Sequence, residues 1–238
     1  LIASANRHGI YVMPVLLAKF PQGRLNAAGY EAAAELHVRP VLRHLAGRPG
    51  IIGWDLFNEP DIASPISDRC WDWDNGDEPL CLELARGRLE FMARLSAEVR
   101  ALDPGRPVTI GVAFAKSYFR PAAAPARLAD MVDFYSFHYY DNDPFDSGRY
   151  AQHWYYGQGF PADLRRSVAE LRALPGAKPV VITELGFPSG PGTLRDEAAL
   201  RADLRTAVAV AAETGTVGVV IWPFQEPHEA LVGDLFAP

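Results

Sequence analysis

Short runs of consecutive apolar residues alternate along this chain with longer segments in which apolar positions recur at helical spacing. The strand-like runs are Ile10 to Leu17, Ile51 to Glu59, Val108 to Phe114, Met131 to Tyr140, Pro179 to Gly186 and Val217 to Trp222. They are apolar throughout rather than alternating, which is the pattern of strands covered on both faces. Helices are predicted over Ala27 to Leu45, stopped by Gly47 and Pro49, and over Leu80 to Leu102, ended by Asp103-Pro104-Gly105. Two more are predicted over Asp163 to Leu174 and Leu194 to Glu213, and Leu1 to Gly9 reads as the last turns of a helix closed by a glycine. The strand–helix rhythm predicts an α/β fold with a parallel sheet and helices outside it. At 238 residues one βα-barrel domain accommodates the whole chain.

Composition narrows the function. The chain is 49% hydrophobic and 22% charged, as globular domains are. A net charge of −6 speaks against nucleic acid, which demands clustered Lys and Arg. No apolar run reaches the 18 or so residues of a membrane-spanning helix. No Gly-rich phosphate-binding fingerprint follows any strand, no His/Cys cluster has zinc spacing, and neither Ser136 nor Ser189 lies in a nucleophile elbow. No metal or organic cofactor is therefore expected. The chain begins without methionine, and the natural protein is expected to start upstream.

Two of the strands end in a glutamate. One is Gly53-Trp54-Asp55-Leu56-Phe57-Asn58-Glu59-Pro60 and the other Val181-Ile182-Thr183-Glu184-Leu185-Gly186. A buried strand gains nothing from an unpaired carboxylate, which is expensive to desolvate. In a βα-barrel the carboxyl ends of the strands form the active face, so charge there reads as chemistry. Two facing glutamates suit glycoside hydrolysis, one as acid and the other as nucleophile or base. Taken singly, Glu59 reads equally well as a dipole-stabilised helix N-terminus, and a structural ion pair at a strand end is the lesser alternative for Glu184. Asn58 beside Glu59 can hold a sugar hydroxyl. His138 and Tyr140 share one face of their strand. Tyr140 can donate to a carboxylate, whereas a lone strand histidine is more often a core residue. Trp222 offers a flat apolar face to a sugar or to the core.

These four strand ends together resemble clan A glycoside hydrolases, closest to the cellulase-like family five: the Glu59 run resembles the fourth-strand motif, the Glu184 run the seventh, His138-Tyr139-Tyr140 the sixth and Trp222 the eighth. The resemblance implies a (β/α)8 TIM-type barrel, of which this chain would hold about six units, strands three to eight. It implies a single catalytic domain over residues 1–238, incomplete at its N-terminus and its C-terminus. It implies retaining hydrolysis of β-linked poly- or oligosaccharides, with Glu59 as acid/base and Glu184 as nucleophile. Asn58 would bind the 2-hydroxyl, Tyr140 would partner the nucleophile, and His138 and Trp222 would line the cleavage subsite. An exported protein is expected on the same ground. Two features depart from the pattern. The run from Val12 to Phe20 carries Lys19 but no histidine, where many members have one at the third strand's end, and the arginine usual on the second strand has no counterpart.

The alternatives are a barrel that binds carbohydrate without cleaving it, or an inert fragment, and a metal-dependent enzyme ligated through Asp55 and Glu59. In the loop from Asp61 to Pro79, Cys70 and Cys81 either form a disulfide or are unrelated thiols. Trp71 and Trp73 there are sugar platforms or loop packing. The acids Asp68, Asp72, Asp74 and Asp77 lack the glycine and glutamate of an EF-hand and read as a solvated loop.

Overall fold

A computed structural model describes residues 1–18, 20–61, 79–120, 124, 126–140, 156–187 and 195–222. Six strands form one sheet in the order of the sequence: β1 Val15–Leu17, β2 Trp54–Asn58, β3 Val108–Val112, β4 Tyr135–Tyr140, β5 Val180–Gly186 and β6 Gly218–Ile221. The pairs β1–β2, β2–β3 and β5–β6 are parallel. Helices alternate with the strands: α1 Ile2–Arg7, α2 Ala27–Ala33, α3 Arg39–Leu45, α4 Pro79–Leu102, α5 Ala162–Arg172 and α6 Glu197–Glu213. This is the βα succession expected from the apolar runs, and it matches the six units of a (β/α)8 barrel that the resemblance implies. Among the described residues no helix is long and apolar enough to cross a membrane.

The chain divides into two compact units. The first comprises Leu1–Ala113 and Ser117–Tyr135. Here β2 and β3 are buried almost throughout, as their uninterrupted apolar sequence requires. Helix α4 covers them with Ala85, Met92, Leu95 and Val99, spaced to share one face. Phe57 of β2, Phe91 of α4 and Tyr30 of α2 meet edge to face, with ring centroids 6.2 and 5.6 Å apart. The indole of Trp54, fully buried, donates to Asp103 Oδ2 at 3.0 Å, so the residue that stops α4 also satisfies the core's largest polar handle.

Three of the departures from the sequence expectation have a plain local reason. The run from Ile10 shrinks to β1, with Val12 making one isolated bridge to Ile51, because Pro14 has no N–H to give a ladder. The helix over Ala27 to Leu45 contains a π-helical turn at Ala34–Val38, just ahead of Pro40. A proline ring clashes with the carbonyl four residues back, and the wider turn relieves that. Strand β4 starts only at Tyr135. The residues before it form a 3-10 turn, Leu128–Met131, and Asp133 accepts the Val108 N–H at 2.8 Å.

The second unit comprises Phe114–Lys116 and Ser136–Pro238. Helix α5 buries Leu164, Val168 and Leu171, and α6 buries Leu200, Leu204, Ala207 and Val210. Asp196 caps α6 by accepting the Ala199 N–H at 2.8 Å.

In the first unit α2, α3 and α4 are tied by Glu98, which accepts from Arg39 Nε at 2.9 Å and from the Tyr30 hydroxyl at 3.0 Å. The guanidinium of Arg39 holds the Glu98 carboxyl below its ordinary range, and burial with Glu98 pushes Tyr30 up to about 12. A carboxyl depressed in the folded state stabilises fully above its unfolded pKa, and that contribution is lost as pH falls through the folded value. A phenol raised in the folded state stabilises below its unfolded pKa and ceases to as pH rises through about 12. Urea unfolding midpoints should therefore fall more steeply below about pH 4 in the wild type than in Glu98→Gln, with about 1 kcal/mol between them near neutrality. Parallel curves would show that Glu98 is not the group being protonated.

Candidate active site

Each predicted glutamate stands at the carboxyl end of a strand carrying one extra residue. In β2, Asp55 pairs with Thr109 of β3 and Asn58 with Gly111, so three steps on β2 match two on β3. In β5, Ile182 pairs with Val219 of β6 and Leu185 with Ile221, again three steps against two. A bulge bends the strand and re-aims the side chains after it, and bulges collect at barrel rims beside active sites. Nothing in a run of apolar residues signals an insertion of this kind.

At β2 the bulge is filled by a side chain. Asp55 Oδ1 accepts the Phe57 N–H at 3.2 Å and the Gly111 N–H at 2.9 Å. This carboxylate, 2% exposed, takes donors that the broken ladder leaves over. The metal-ligand alternative gave Asp55 a different task; its Oδ1 is committed to two backbone amides. Asn58 ends the strand half-buried. Glu59 follows with φ of 53°, the left-handed region that non-glycine residues enter at a cost of about 1–3 kcal/mol. Its N–H donates to Gly111 O at 2.7 Å. Two residues on, the buried carboxylate of Asp61 accepts the Ala113 N–H at 2.9 Å and the Ser117 hydroxyl at 2.6 Å. Desolvation pushes Asp61 above the usual carboxylate range, opposed by its hydrogen bonds and by Arg88 of α4. Sequence reading passed over Asp61 as the first residue of an acidic loop; an Asp next to a Pro after a strand carries no sign of burial.

The second unit builds the surroundings of Glu184. The Tyr140 hydroxyl donates to Glu184 Oε2, and His138 Nδ1 lies 3.4 Å from the same oxygen. His138 and Tyr140, two apart on β4, therefore reach one carboxylate from one face. His138 is 1% exposed, so its ring is packed beneath the carboxylate rather than presented to solvent. The ring of Trp222 stands edge-on to that of Tyr140, centroids 6.0 Å apart, and is itself half exposed. The backbone N–H of Trp222 donates to Leu185 O at 3.0 Å, which fixes the end of β6 against β5.

Gly186 makes this arrangement possible. A Cβ there would lie 2.6 Å from Tyr140 Cε1 and 2.7 Å from Trp222 O, distances real side chains do not sustain. The tyrosine ring occupies the space a side chain would take. Cys70, Trp71, Trp73 and the acids of their loop, as well as Lys19, lie outside the described residues. Cys81, near the start of α4, is disulfide-bonded, which agrees with the bridged reading of the two cysteines rather than with unrelated thiols.

No protein-family model and no curated protein sequence matches the chain. Solved structures share its fold. They include a β-glucuronidase from Bacteroides uniformis, 17% identical with a TM-score of 0.68, matched over 94% of this chain and 25% of that one. A β-1,4-mannanase from the sea hare Aplysia kurodai is 17% identical with a TM-score of 0.63, over 98% of this chain and 68% of that one. A β-D-glucuronidase from Dictyoglomus thermophilum is 24% identical with a TM-score of 0.60, over 94% and 35%. The chain thus spans a quarter of the length of the Bacteroides enzyme, and the likeness is one of fold. These neighbours are glycoside hydrolases; no particular family of them is singled out.

Gly186→Ala should act through Tyr140. Forcing the ring aside breaks its bond to Glu184, so the variant should lose activity by about the same factor as Tyr140→Phe, on the order of tenfold for one charge-assisted bond. The double variant should lose no more than either alone, because both remove one interaction. Losses that multiply would separate the glycine from the tyrosine.

Proposed function

We propose that this chain belongs to the catalytic barrel of a retaining glycoside hydrolase acting on β-linked sugars. The observation that carries the reading is the setting of Glu184: a carboxylate at the carboxyl end of a parallel strand, gripped by Tyr140 and His138, in a fold shared with β-glucuronidases and β-mannanases. A tyrosine donor orients one carboxylate oxygen and leaves the other to attack, which is the geometry a nucleophile needs.

In this reading Glu184 attacks the anomeric carbon while Glu59 gives its proton to the departing glycosidic oxygen. The C–O bond to the leaving group breaks as the glycosyl ester forms. Glu59, now ionised, takes a proton from water, the water oxygen bonds to the anomeric carbon, and Glu184 departs as carboxylate. Two displacements restore the starting configuration. Asn58 holds the 2-hydroxyl beside Glu59, and the half-exposed Trp222 offers its ring to the sugar at the cleavage point. The substrate class is β-linked poly- or oligosaccharide. No step calls for a metal, so a chelator should leave the rate unchanged.

The test is the full-length protein on aryl β-glycosides and β-glycans, with the anomer first released identified by NMR. Retention is expected. Glu184→Ala should lose at least about 10³-fold on good and poor leaving groups alike. Glu59→Ala should lose on the order of 10²–10⁴-fold in kcat/KM, which reports the glycosylation step, on poor leaving groups and far less in kcat/KM on a dinitrophenyl glycoside, which leaves without a proton. An inverted product, or equal losses on both substrates in Glu59→Ala, would sink these assignments.

A further inference from the structure

We propose that Asp61 is a positioning residue for Glu59: its buried carboxylate fastens the chain just beyond the glutamate to the segment following β3, and so holds Glu59 in a backbone conformation it would not otherwise keep. The inference rests on the reading of Glu59 as acid/base.

The positive φ of Glu59 is the starting point. Such a conformation persists only when its surroundings over-determine it. Ahead of Glu59, Asp55 ties β2 to the Gly111 N–H, and at Glu59 itself the N–H returns to Gly111 O. Those bonds fix the approach to the glutamate and leave its exit to be fixed. Asp61 supplies that anchor. Oδ1 takes the Ala113 N–H, two residues past Gly111 on the same backbone, and Oδ2 takes the Ser117 hydroxyl in the 3-10 turn Ala115–Tyr118. Arg88 on α4 adds an attractive charge from the helix side. Only Pro60 lies between, and its ring fixes φ, so a shift at Asp61 is passed to Glu59 instead of being absorbed. Two buried aspartates thus bracket the glutamate, both bonded to the backbone after Ile110. Their short side chains suit the task, because a carboxylate can accept several amides at once while a longer chain would not lie flat against the strand.

The experiment compares Asp61→Ala and Asp61→Asn in the full-length protein. Asparagine keeps an acceptor for the Ala113 N–H and a polar partner for Ser117; alanine keeps neither. Two readouts are taken: kcat/KM on a dinitrophenyl and an alkyl β-glycoside, and hydrogen exchange at the Glu59 amide. In Asp61→Ala the loss on the alkyl glycoside should exceed that on the dinitrophenyl glycoside by about tenfold or more, since only the poor leaving group needs the acid in place. Exchange at the Glu59 amide should quicken by about tenfold or more relative to amides of α5 and α6. Asp61→Asn should recover most of both. Should Asp61→Ala not fold, Ser117→Ala removes one of the two bonds and should show the same selective loss. Equal losses on both substrates with unchanged Glu59 exchange would overturn the proposal, as would a uniform rise in exchange across the protein, which marks general destabilisation. A wild type inactive on every β-glycoside would end the hydrolase reading by itself. In that case the Glu59 exchange rate alone would still decide whether Asp61 holds the turn.

Discussion

The local architecture of the first unit hangs on one carboxylate in the sheet. Asp55 points into a fully buried strand, where a charge is otherwise disfavoured, and is kept there by the Phe57 and Gly111 amides. Its presence lets β2 carry one residue more than β3 without leaving amides unpaired. The extra residue re-aims everything after it, so that Asn58 ends the strand and Glu59 enters the left-handed region. Were Asp55 apolar, the cheapest arrangement would be a regular ladder, and the side chain at position 59 would leave the strand in another direction.

The second unit reaches a comparable result by packing. Its bulge falls between Ile182 and Leu185, around Thr183 and Glu184, and the glutamate is steadied by neighbours on β4. Tyr140 can approach because Gly186 has no side chain, and its ring is flanked by Trp222. Orientation here comes from contact between rings and backbone, and one hydroxyl converts that contact into a grip on the carboxylate. The two glutamates thus have different settings: one takes a strained backbone conformation between buried acids, with its N–H bonded to Gly111 O, and the other meets an aromatic ring and a histidine.

Much of this was legible in the chain. Six apolar runs gave six strands in the right order; the inner strands β2, β3 and β4 are buried almost throughout, as such runs predict, whereas β6 has no fully buried residue and Val15 of β1 is exposed. The carboxylates at the ends of β2 and β5 stood out as charges where burial should forbid them. Tyr140 and His138 could be paired with each other from the two-residue period of β4.

What the sequence determined by itself, then, was the type and order of the elements and the identity of the residues at the strand ends, since these follow from local periodicity and the cost of desolvation. The tertiary structure alone decided the register between strands and the work of the acids within them. It put a bulge just before Glu59 and another around Glu184, set Asp55 on a backbone amide of β3 and Asp61 on one just beyond it, opened a π turn ahead of Pro40 and laid the Tyr140 ring over Gly186. Register and hydrogen-bond partners depend on residues distant in the chain, and no property of Asp55, Asp61 or Gly186 taken alone distinguishes a surface position from a buried one. The free energy that makes the choice belongs to pairs of segments, and it exists only once they have met.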